Sequence, residues 1–367
     1  MSFNNNKWMN YAILLATRSK GITGKNPPVG CVIVKNGILL STGRTSNSGR
    51  PHAEENAINN VEEKQCLSGS TMYVTLEPCA HKNSTGMSCA ELISNSGISE
   101  VFVSCIDPDP RTLHKGIEIL KKNNIKVHEN YMNEECIDLY DGFFSRILNN
   151  KPFVTLKIAC SLDGKIALNN YQSKWITNDL SRSYVHLIRS QNDAIMTTSS
   201  TILADDPEMN CRLNGLENRS PKKVILDRFF KVTSEYKIYN SSPYNDIFVY
   251  SLLDMVNHLS HNIKIKKIKI EKNLCNESFF NFIFQDLAIR GINNLLIEAG
   301  SKINTILLSL GLIDKLLIFR SGKTIGNDGI PFIDNLNINS MNNVYNYKLS
   351  YIRTFDDDVL EIRKLNK

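Results

Sequence analysis

The sequence predicts an α/β protein of two domains. Segments with helical spacing of apolar residues alternate with short apolar runs along most of the chain, a pattern typical of sheets covered by helices on both faces. The chain has 367 residues, which exceeds the roughly 100–200 residues of a single domain. A polar segment with a proline, 149–152, separates two such series. We therefore predict domains over residues 1–148 and 149–367.

The first domain is predicted to open with a helix, because apolar residues recur at helical spacing over 5–19. Asn36-Gly37 lies between two apolar runs and is a strong signal for a β-hairpin. The remaining elements follow from apolar periodicity and turn residues. Strands are predicted over 29–35, 38–42, 72–76, 101–105 and 125–127, and helices after His52 and over 89–96, 113–122 and 134–148.

The alternation restarts after Pro152. Strands are predicted over 153–159, 194–197, 223–226, 247–250, 295–297 and 315–319, and helices over 179–190, 278–290 and 301–310. The stretch 331–350 is rich in asparagine and lacks a clear period, so no element is assigned there.

Composition excludes several classes of protein. With 42% hydrophobic and 22% charged residues, the chain has too much core material for wholesale disorder. The net charge of +6 is dispersed, which argues against a nucleic-acid partner but is compatible with small anions. No segment approaches the ~18 apolar residues of a membrane span, and no secretory signal pattern is present. The nine scattered cysteines suit a reducing compartment, so we predict a cytoplasmic protein. A homo-oligomer is also expected.

A candidate zinc site is formed by His52, Cys79 and Cys89. One imidazole and two thiolates leave the fourth position of a tetrahedral zinc open for water, as in catalytic sites. Glu54 is close enough in sequence to move protons beside such a site. The pattern resembles the signature of zinc deaminases, although nine residues separate the two cysteines instead of two. The alternative is two core thiols and a solvated helix start. Upstream, Asn26 is either an ordinary loop residue or a contact for the polar edge of a heterocycle.

Eight motifs in order give the chain a family resemblance. The first domain contains Asn-Pro-Pro-Val-Gly-Cys-Val-Ile-Val at 26–34, Pro-His-Ala-Glu at 51–54, Tyr-Val-Thr-Leu-Glu-Pro-Cys at 73–79 and Asp-Pro-Asp-Pro at 107–110. The second contains Ser-Leu-Asp-Gly at 161–164, Ser-Lys-Trp-Ile-Thr at 173–177, Thr-Ile-Leu-Ala-Asp-Asp-Pro at 201–207 and Ile-Glu-Ala-Gly at 297–300. Together they resemble the bifunctional deaminases and reductases of riboflavin biosynthesis over nearly the whole chain.

The resemblance implies a cytidine-deaminase-like αβα N-terminal domain and a dihydrofolate-reductase-like α/β C-terminal domain. It implies zinc-dependent deamination of a small phosphorylated pyrimidine, 2,5-diamino-6-ribosylamino-4(3H)-pyrimidinone 5′-phosphate. It further implies reduction of the ribosyl group by NADPH, which gives 5-amino-6-(5-phosphoribitylamino)uracil. In this reading His52, Cys79 and Cys89 bind zinc, Glu54 is catalytic and Asn26 binds the substrate.

The site of the second domain rests on the resemblance, because no glycine-rich dinucleotide fingerprint is present. Lys157 lies on the first strand of this domain, Asp205 at the end of a βα segment and Glu298 at a strand end, where α/β sites gather. Each of them alone is also compatible with a surface charge or a helix cap. The resemblance implies that Lys157 and Asp205 handle the proton of the reduction. It implies substrate contacts from Ser173, Arg189, Arg212 and Glu298, and NADPH contacts from Ala159, Trp175, Thr201, Asp205, Gly300 and Ser301.

The chain departs from the family pattern around the predicted zinc site. The loop between the two cysteines is one residue longer than usual and reads Asn-Ser-Thr-Gly-Met at 83–87, without the usual basic residue for the substrate phosphate. Lys82, Arg44 and Arg50 are candidates to replace it. Thr45 stands where a histidine is common in the family. His81 is either a site residue or an exposed loop residue.

Three alternative functions remain at this point. A nucleic-acid deaminase with an appended domain would show a basic groove with aromatic residues and a short Cys-x-x-Cys, and neither is visible. A zinc-stabilised nucleotide-binding protein would need no catalytic carboxylate. A deaminase with a non-functional reductase domain is compatible with Thr-Ser-Ser at 198–200, where many family members have Gly-x-Gly.

Overall fold

The fold was analysed in a computed structural model, which describes residues 2–81, 86–241, 246–253 and 265–365. The chain divides into two compact units, Met1–Lys151 and Pro152–Lys367.

The first unit contains one sheet and helices on both of its faces. Its strands are β1 (Gly30–Lys35), β2 (Ile38–Arg44), β3 (Thr71–Leu76), β4 (Glu100–Cys105) and β5 (Lys126–His128). Its helices are α1 (Ser2–Thr17), α2 (Ala53–Asn59), α3 (Cys89–Ser94), α4 (Lys115–Lys122), α5 (Asn133–Cys136) and α6 (Asp141–Asn149).

The five strands lie in the order β2-β1-β3-β4-β5. β1 pairs antiparallel with β2 and β3, whereas β3, β4 and β5 are parallel. Both residues of the Asn36-Gly37 turn have positive φ, as a tight hairpin of matching twist requires.

Alternate residues of the strands feed two cores, one on each face of the sheet. Val32 and Val34 pack with Met9 and Ala12 of α1, while Ile33 packs with residues of α2 and α3 on the other face. Because side chains of a strand alternate between faces, one hydrophobic strand is buried by helices on both sides. The first unit is therefore an αβα sandwich.

The single helix predicted over 134–148 is wrong. The structure ends α5 at Cys136, continues with a 3-10 turn over Ile137–Leu139, and starts α6 at Asp141. Tyr140 lies at this break, fully buried, and its hydroxyl donates to Thr75 Oγ1 at 2.6 Å. The interruption lets the polar tip of a buried tyrosine reach a partner, which burial demands.

The second unit is larger. Its strands are β6 (Phe153–Cys160), β7 (Lys165–Leu168), β8 (Ala194–Thr198), β9 (Lys222–Leu226), β10 (Ile247–Ser251), β11 (Ile265–Lys269), β12 (Asn294–Ile297), β13 (Lys315–Arg320), β14 (Gly329–Pro331), β15 (Tyr347–Phe355) and β16 (Asp358–Leu365). Its helices are α7 (Asp179–Ser190), α8 (Ser199–Asp205), α9 (Lys237–Asn240), α10 (Asn276–Ile289) and α11 (Ser301–Ser309).

A nine-stranded sheet in the order β11-β10-β9-β8-β12-β6-β13-β16-β15 forms the centre of this unit. The first seven strands of that order, from β11 through β13, are parallel to one another. The antiparallel hairpin of β15 and β16 pairs with β13 and closes one side. Met196 of β8 packs on the face that α10 and α11 cover, and its neighbour Ile195 packs with Val185 of α7 on the opposite face. Parallel strands buried on both faces read as continuous apolar runs, which made them visible in the sequence.

Several strands of the second unit were not predicted, among them β7, β11, β14, β15 and β16. β15 begins inside the stretch that was left unassigned, and seven of its nine residues are exposed. An edge strand with both faces open carries little of the alternation on which strand prediction depends. Within the part of the chain that the structure describes, no helix is both long and apolar enough to cross a membrane.

Candidate active sites

The three predicted zinc ligands of the first unit converge. Nδ1 of His52, Sγ of Cys79 and Sγ of Cys89 lie within 4.8 Å of one another. Nδ1 is 3.3 Å from Sγ of Cys89 and 3.6 Å from Sγ of Cys79. A tetrahedral zinc with bonds of about 2.0–2.3 Å places neighbouring nitrogen and sulfur ligands about 3.5 Å apart. The donor set and its spacing therefore fit zinc.

Local structure explains why these residues meet. His52 is the residue before α2, Cys79 follows β3, and Cys89 is the first residue of α3. Ser88 and Glu91 form a capping box that fixes the start of α3, and the Cys89 N–H donates to Cys79 Sγ at 3.4 Å. Hydrogen bonding from Cys89 and His52 lowers the pKa of the Cys79 thiol, which favours the thiolate that a metal binds.

Glu54 lies in the first turn of α2 and is only 3% exposed. Burial raises the pKa of its carboxyl to about 7, where a group exchanges protons readily at neutral pH. Burial lowers the pKa of His52, but the hydrogen bond to Cys79 and the charge of Glu54 outweigh it and raise that pKa. The site thus combines a ligand cluster with a carboxyl group suited to proton transfer.

Asn26 is held against the segment that leads into His52. Its Nδ2 donates to the Gly49 carbonyl at 2.9 Å. Gly49 has a φ of +95°, and a Cβ there would lie 2.3 Å from Asn26 Nδ2, so this position requires glycine. Thr45 supports the same loop, because its Oγ1 accepts from the Val29 N–H and donates to the Pro27 carbonyl. The role of Asn26 toward a substrate stays a prediction.

The second unit contains a cleft of about 1030 Å³. It brings together every residue that was predicted for the second site. The predicted substrate and proton-transfer residues on its walls are Lys157, Ser173, Arg189, Asp205, Arg212 and Glu298. The predicted cofactor residues on its walls, besides Asp205, are Ala159, Trp175, Thr201, Gly300 and Ser301.

Glu298 is the centre of a buried ion group. It accepts from Arg189 Nε at 2.8 Å and Arg189 Nη2 at 3.0 Å, and lies 3.3 Å from Lys157 Nζ. Burial would raise the pKa of Glu298, but the charges of Arg189 and Lys157 hold it well below its usual range. The carboxylate therefore stays ionised between two cations.

The two predicted proton-handling groups have different partners. Lys157 pairs with Glu298, whereas Asp205 Oδ1 accepts from the Ser173 hydroxyl at 3.1 Å. Arg212 is about half exposed and donates from Nη1 to Asn210 Oδ1 at 2.8 Å. A joint role of Lys157 and Asp205 stays a prediction.

The predicted cofactor side of the cleft contains two helix N-termini. Thr198 caps α8 by accepting from the Thr201 N–H at 3.3 Å, so the hydroxyl residues at 198–200 form a helix start. At the start of α11, the Ser301 hydroxyl is buried with no hydrogen-bond partner among the residues described. Trp175 is 61% exposed, and the Arg182 guanidinium lies 4.2 Å from its ring centroid.

Comparisons with known proteins match both units. The cytidine and deoxycytidylate deaminase zinc-binding region matches residues 3–105, and the RibD C-terminal domain matches residues 152–360. The riboflavin biosynthesis protein RibD of Buchnera aphidicola is 34% identical over 96% of this chain and 96% of its own length. Its counterpart in Escherichia coli is 32% identical over 96% of this chain and 97% of its own length. The chain belongs to the RibD family.

Solved RibD structures agree over almost the whole chain. Acinetobacter baumannii RibD aligns with a TM-score of 0.88 at 31% identity and covers 99% of both chains. A Thermotoga maritima protein described as a diaminohydroxyphosphoribosylaminopyrimidine deaminase and 5-amino-6-(5-phosphoribosylamino)uracil reductase aligns with a TM-score of 0.87 at 30% identity, also over 99% of both chains. The predicted fold class is confirmed.

This RibD protein is a bifunctional enzyme of riboflavin biosynthesis, with a zinc-binding deaminase domain and a reductase domain that uses a nicotinamide cofactor. The comparisons support both activities rather than a deaminase with a silent reductase, a nucleic-acid deaminase or a non-catalytic binding protein.

One organising residue of the RibD deaminase domain was missed in the sequence. Glu77 is 2% exposed and accepts from four backbone N–H groups at 3.1–3.4 Å, those of Asp107, His114, Gly116 and Ile117. It ties the segment of Cys79 to the loop at 107–110. The available signal was its place in Leu-Glu-Pro-Cys, two residues before a ligand.

The candidates for binding the substrate phosphate differ in their surroundings. Arg44 Nη1 donates to the Arg18 carbonyl at 3.2 Å and lies 3.3 Å from Ser19 Oγ. Arg50 Nη1 is buried with no partner in the described part of the chain. Lys82 and the altered residues 83–85 lie outside the described residues. His81 Nδ1 lies 3.4 Å from Thr112 Oγ1, and burial lowers the pKa of this ring.

Proposed function

We propose that residues 1–148 deaminate 2,5-diamino-6-ribosylamino-4(3H)-pyrimidinone 5′-phosphate and that residues 149–367 then reduce its ribosyl group with NADPH. The product is 5-amino-6-(5-phosphoribitylamino)uracil. The observation that carries the proposal is that each unit holds its own reactive site. One unit has a buried carboxyl beside a zinc-type ligand cluster, and the other has a charged cleft large enough for a dinucleotide and a substrate.

In the deaminase, His52, Cys79 and Cys89 would hold the zinc. Bound zinc supplies hydroxide at neutral pH, because it lowers the pKa of water to about 7. Glu54 would take the proton released by the attacking water and give it to the ring nitrogen, and would then take the hydroxyl proton of the hydrated ring and give it to the departing amine. Its raised pKa suits both transfers. Asn26 orients the polar edge of the pyrimidine through its amide oxygen, because its Nδ2 donates to the Gly49 carbonyl.

In the reductase, the ribosylamine opens to an imine. A bound nicotinamide cofactor would supply the hydride for C1′, and a proton would add to the nitrogen, so that the carbon–nitrogen double bond becomes a single bond. Lys157 and Asp205 handle that proton, and Ser173 and Glu298 bind the ribose chain or the ring. These roles are supported by their place on the walls of one cleft.

Two of the arginines that line this cleft, Arg189 and Arg212, take different parts. Arg189 directs Nε and Nη2 to Glu298 and Nη1 to the Asn210 carbonyl, so we assign it to holding the Glu298 carboxylate beside the substrate. Arg212 is more exposed, and we assign it to the substrate phosphate, whose oxygens match a guanidinium fork.

NADPH is the cofactor that we propose, because the cleft offers several groups for its phosphates. The N–H groups at the start of α11 and the buried Ser301 hydroxyl suit a pyrophosphate. Arg228 and Lys231, which follow β9, line the same cleft and add positive charge for a further phosphate. Trp175, Ala159, Thr201 and Gly300 complete the proposed cofactor contacts.

Mass spectrometry of the product tests the proposal. The zinc-loaded protein is mixed with the diaminopyrimidinone phosphate and NADPH, and a parallel sample contains NADH. Exchange of an amine for oxygen adds about 1 mass unit, and hydride plus proton adds about 2 more. Both increments with NADPH are expected. The increment of about 1 mass unit alone contradicts the reductase assignment, and no change in mass contradicts both the deaminase and the reductase assignments. Faster reduction with NADH than with NADPH contradicts the choice of NADPH.

We also propose that the enzyme works as a homo-oligomer in the cytoplasm. Edge strand β15 exposes Leu349, Tyr351 and Ile352, and an exposed edge strand is a place where a second copy can pair. All nine cysteines are unpaired, which suits a reducing compartment. Light scattering is expected to give a multiple of 41.5 kDa, and the mass of a single chain at working concentration contradicts the oligomer.

A further inference from the structure

We propose that Arg50 binds the substrate phosphate in the deaminase site. The inference rests on the proposed function, which supplies the substrate. The pyrimidine of that substrate reacts at the ligand cluster, so its phosphate must be bound by a positive charge nearby. Guanidinium is suited to this task, because its planar donors can bind two phosphate oxygens at once.

The first observation is an unused donor. Nη1 of Arg50 is buried and has no hydrogen-bond partner among the residues that the structure describes. A buried donor without an acceptor is destabilising, so such groups are rare unless a ligand or water completes them. An anionic ligand group would supply the missing acceptor.

Two other arginines of this unit are already engaged. Arg111 binds Asp109 through Nε and Nη2, with N···O distances from 2.5 to 3.1 Å. Arg44 donates to the Arg18 carbonyl at 3.2 Å and lies 3.3 Å from Ser19 Oγ. The pairing of Arg111 also neutralises the charge of Asp109. Among these three arginines, Arg50 retains a buried donor for a ligand.

The position of Arg50 is set by its neighbours on both sides. Before it, the Gly49 carbonyl accepts from Asn26 Nδ2 at 2.9 Å. After it, the Pro51 carbonyl accepts from the Ser46 N–H at 3.1 Å. The backbone at Arg50 is therefore fixed on both sides, one residue after the carbonyl that binds Asn26 and two residues before the ligand His52.

Arg50 lies two residues before the ligand His52 in the chain, and its Nη1 atom is buried. A ribosyl phosphate attached to a pyrimidine over the cluster would extend into this region. Arg50 is thus a candidate for selecting phosphorylated over unphosphorylated substrate.

The test compares two substrates in one variant. Ammonia release is measured for wild type and Arg50→Gln with the diaminopyrimidinone ribosylamine, with and without its 5′-phosphate. Loss of a charge-assisted fork is expected to raise KM for the phosphorylated substrate by about 10- to 100-fold. The kcat for that substrate and the kcat/KM for the unphosphorylated one are expected to change less than about two-fold, since neither depends on phosphate binding.

Controls separate binding from folding. Arg50→Lys keeps the positive charge but lacks the planar guanidinium. Its KM for the phosphorylated substrate is expected to lie between those of wild type and Arg50→Gln. Arg44→Gln removes a neighbouring guanidinium and is expected to leave the preference for phosphate unchanged. Zinc content and reductase activity of each variant report whether the protein is intact.

Distinct outcomes overturn distinct claims. Equal losses with both substrates, or a loss in kcat alone, contradict phosphate binding by Arg50. If KM for the phosphorylated substrate is unchanged in Arg50→Gln but rises selectively in Lys82→Gln, the phosphate is bound by the loop after Cys79 instead. A wild-type enzyme that deaminates neither substrate contradicts the proposed function itself rather than the role of Arg50.

Discussion

Glu54 illustrates how burial prepares one side chain for chemistry. A carboxyl group in water is ionised at neutral pH, but the enclosed position in the first turn of α2 raises the pKa of Glu54 to about 7. Glu298 shows the opposite case, because two cations keep a buried carboxylate charged. The same side chain thus serves proton transfer in one unit and fixed charge in the other.

Glu54→Gln is expected to abolish deamination while leaving zinc bound. The amide keeps the shape of the side chain but cannot carry protons, so the rate should fall at least about 100-fold. Ammonia release and zinc content provide the measurement. Glu55→Gln, its neighbour on α2, should retain activity. Normal deamination by Glu54→Gln would remove Glu54 from the mechanism.

Glu298→Gln is expected to destabilise the second unit at neutral pH. It leaves Arg189 and Lys157 without a counter-charge in a buried place, which costs about 3–5 kcal/mol. The folded-state pKa of Glu298 is depressed, so its contribution is present above the unfolded value near 4.5 and is lost as the pH falls toward the folded value. The difference in unfolding free energy between wild type and variant should therefore shrink in acid.

Denaturant unfolding at neutral and acidic pH measures this difference. Glu208→Gln is the matched control, because Glu208 pairs with Arg212 at 3.4 Å where both side chains are at least a third exposed. Such a pair contributes at most about 1 kcal/mol. A gap between wild type and Glu298→Gln that stays constant with pH would contradict the assigned charge of Glu298.

Helix α3 shows how one short element can determine a metal site. It has only six residues, yet it begins with Cys89 and its first N–H groups point toward Cys79. A helix this short has little stability of its own, so its start depends on the cap and on tertiary contacts. The capping box of Ser88 and Glu91 supplies the cap.

Ser88→Ala is expected to weaken zinc binding without abolishing it. The change removes the hydroxyl that accepts from the Glu91 N–H, a cap of about 1 kcal/mol. Zinc affinity should fall by about five-fold or more, because Cys89 is less well positioned. Chelator competition measures the affinity. Ser94→Ala, at the other end of α3, should have a smaller effect, and equal effects of the two variants would contradict a role of the cap.

The two units each have their own sheet and hydrophobic cores. All three zinc-ligand residues belong to the first unit, and the large cleft is lined by residues of the second. Loss of zinc should therefore affect one reaction and spare the other.

Zinc removal is expected to stop deamination and preserve reduction. The chelated protein is supplied with the already deaminated intermediate and NADPH, and oxidation of NADPH is followed. Its rate should stay within about two-fold of that of the zinc-loaded enzyme, because metal binding couples to the fold of the domain that holds the metal. Loss of both activities on chelation, with recovery of both on adding zinc back, would show that the units are coupled.

Much of this architecture follows from short-range patterns in the chain. The Asn36-Gly37 hairpin, the buried parallel strands and the ligand motifs depend on residues within a few positions of one another, so sequence spacing predicts them. The helix break at Tyr140 was not predicted, because it depends on a hydrogen bond to Thr75, 65 residues away. The edge strand β15 was not predicted, because its exposed residues give little alternation of apolar and polar side chains.

The sequence alone identified the ligand residues and the residues of the second cleft, whereas their partners became visible only in the folded chain. Glu298 binds Arg189 and Lys157, which lie 109 and 141 residues away, and Glu77 binds backbone groups of distant loops. Residue identity and local spacing are properties of the linear chain. The choice of partner for a buried charge is not, because it depends on which groups the packed elements bring within hydrogen-bond distance once water is excluded.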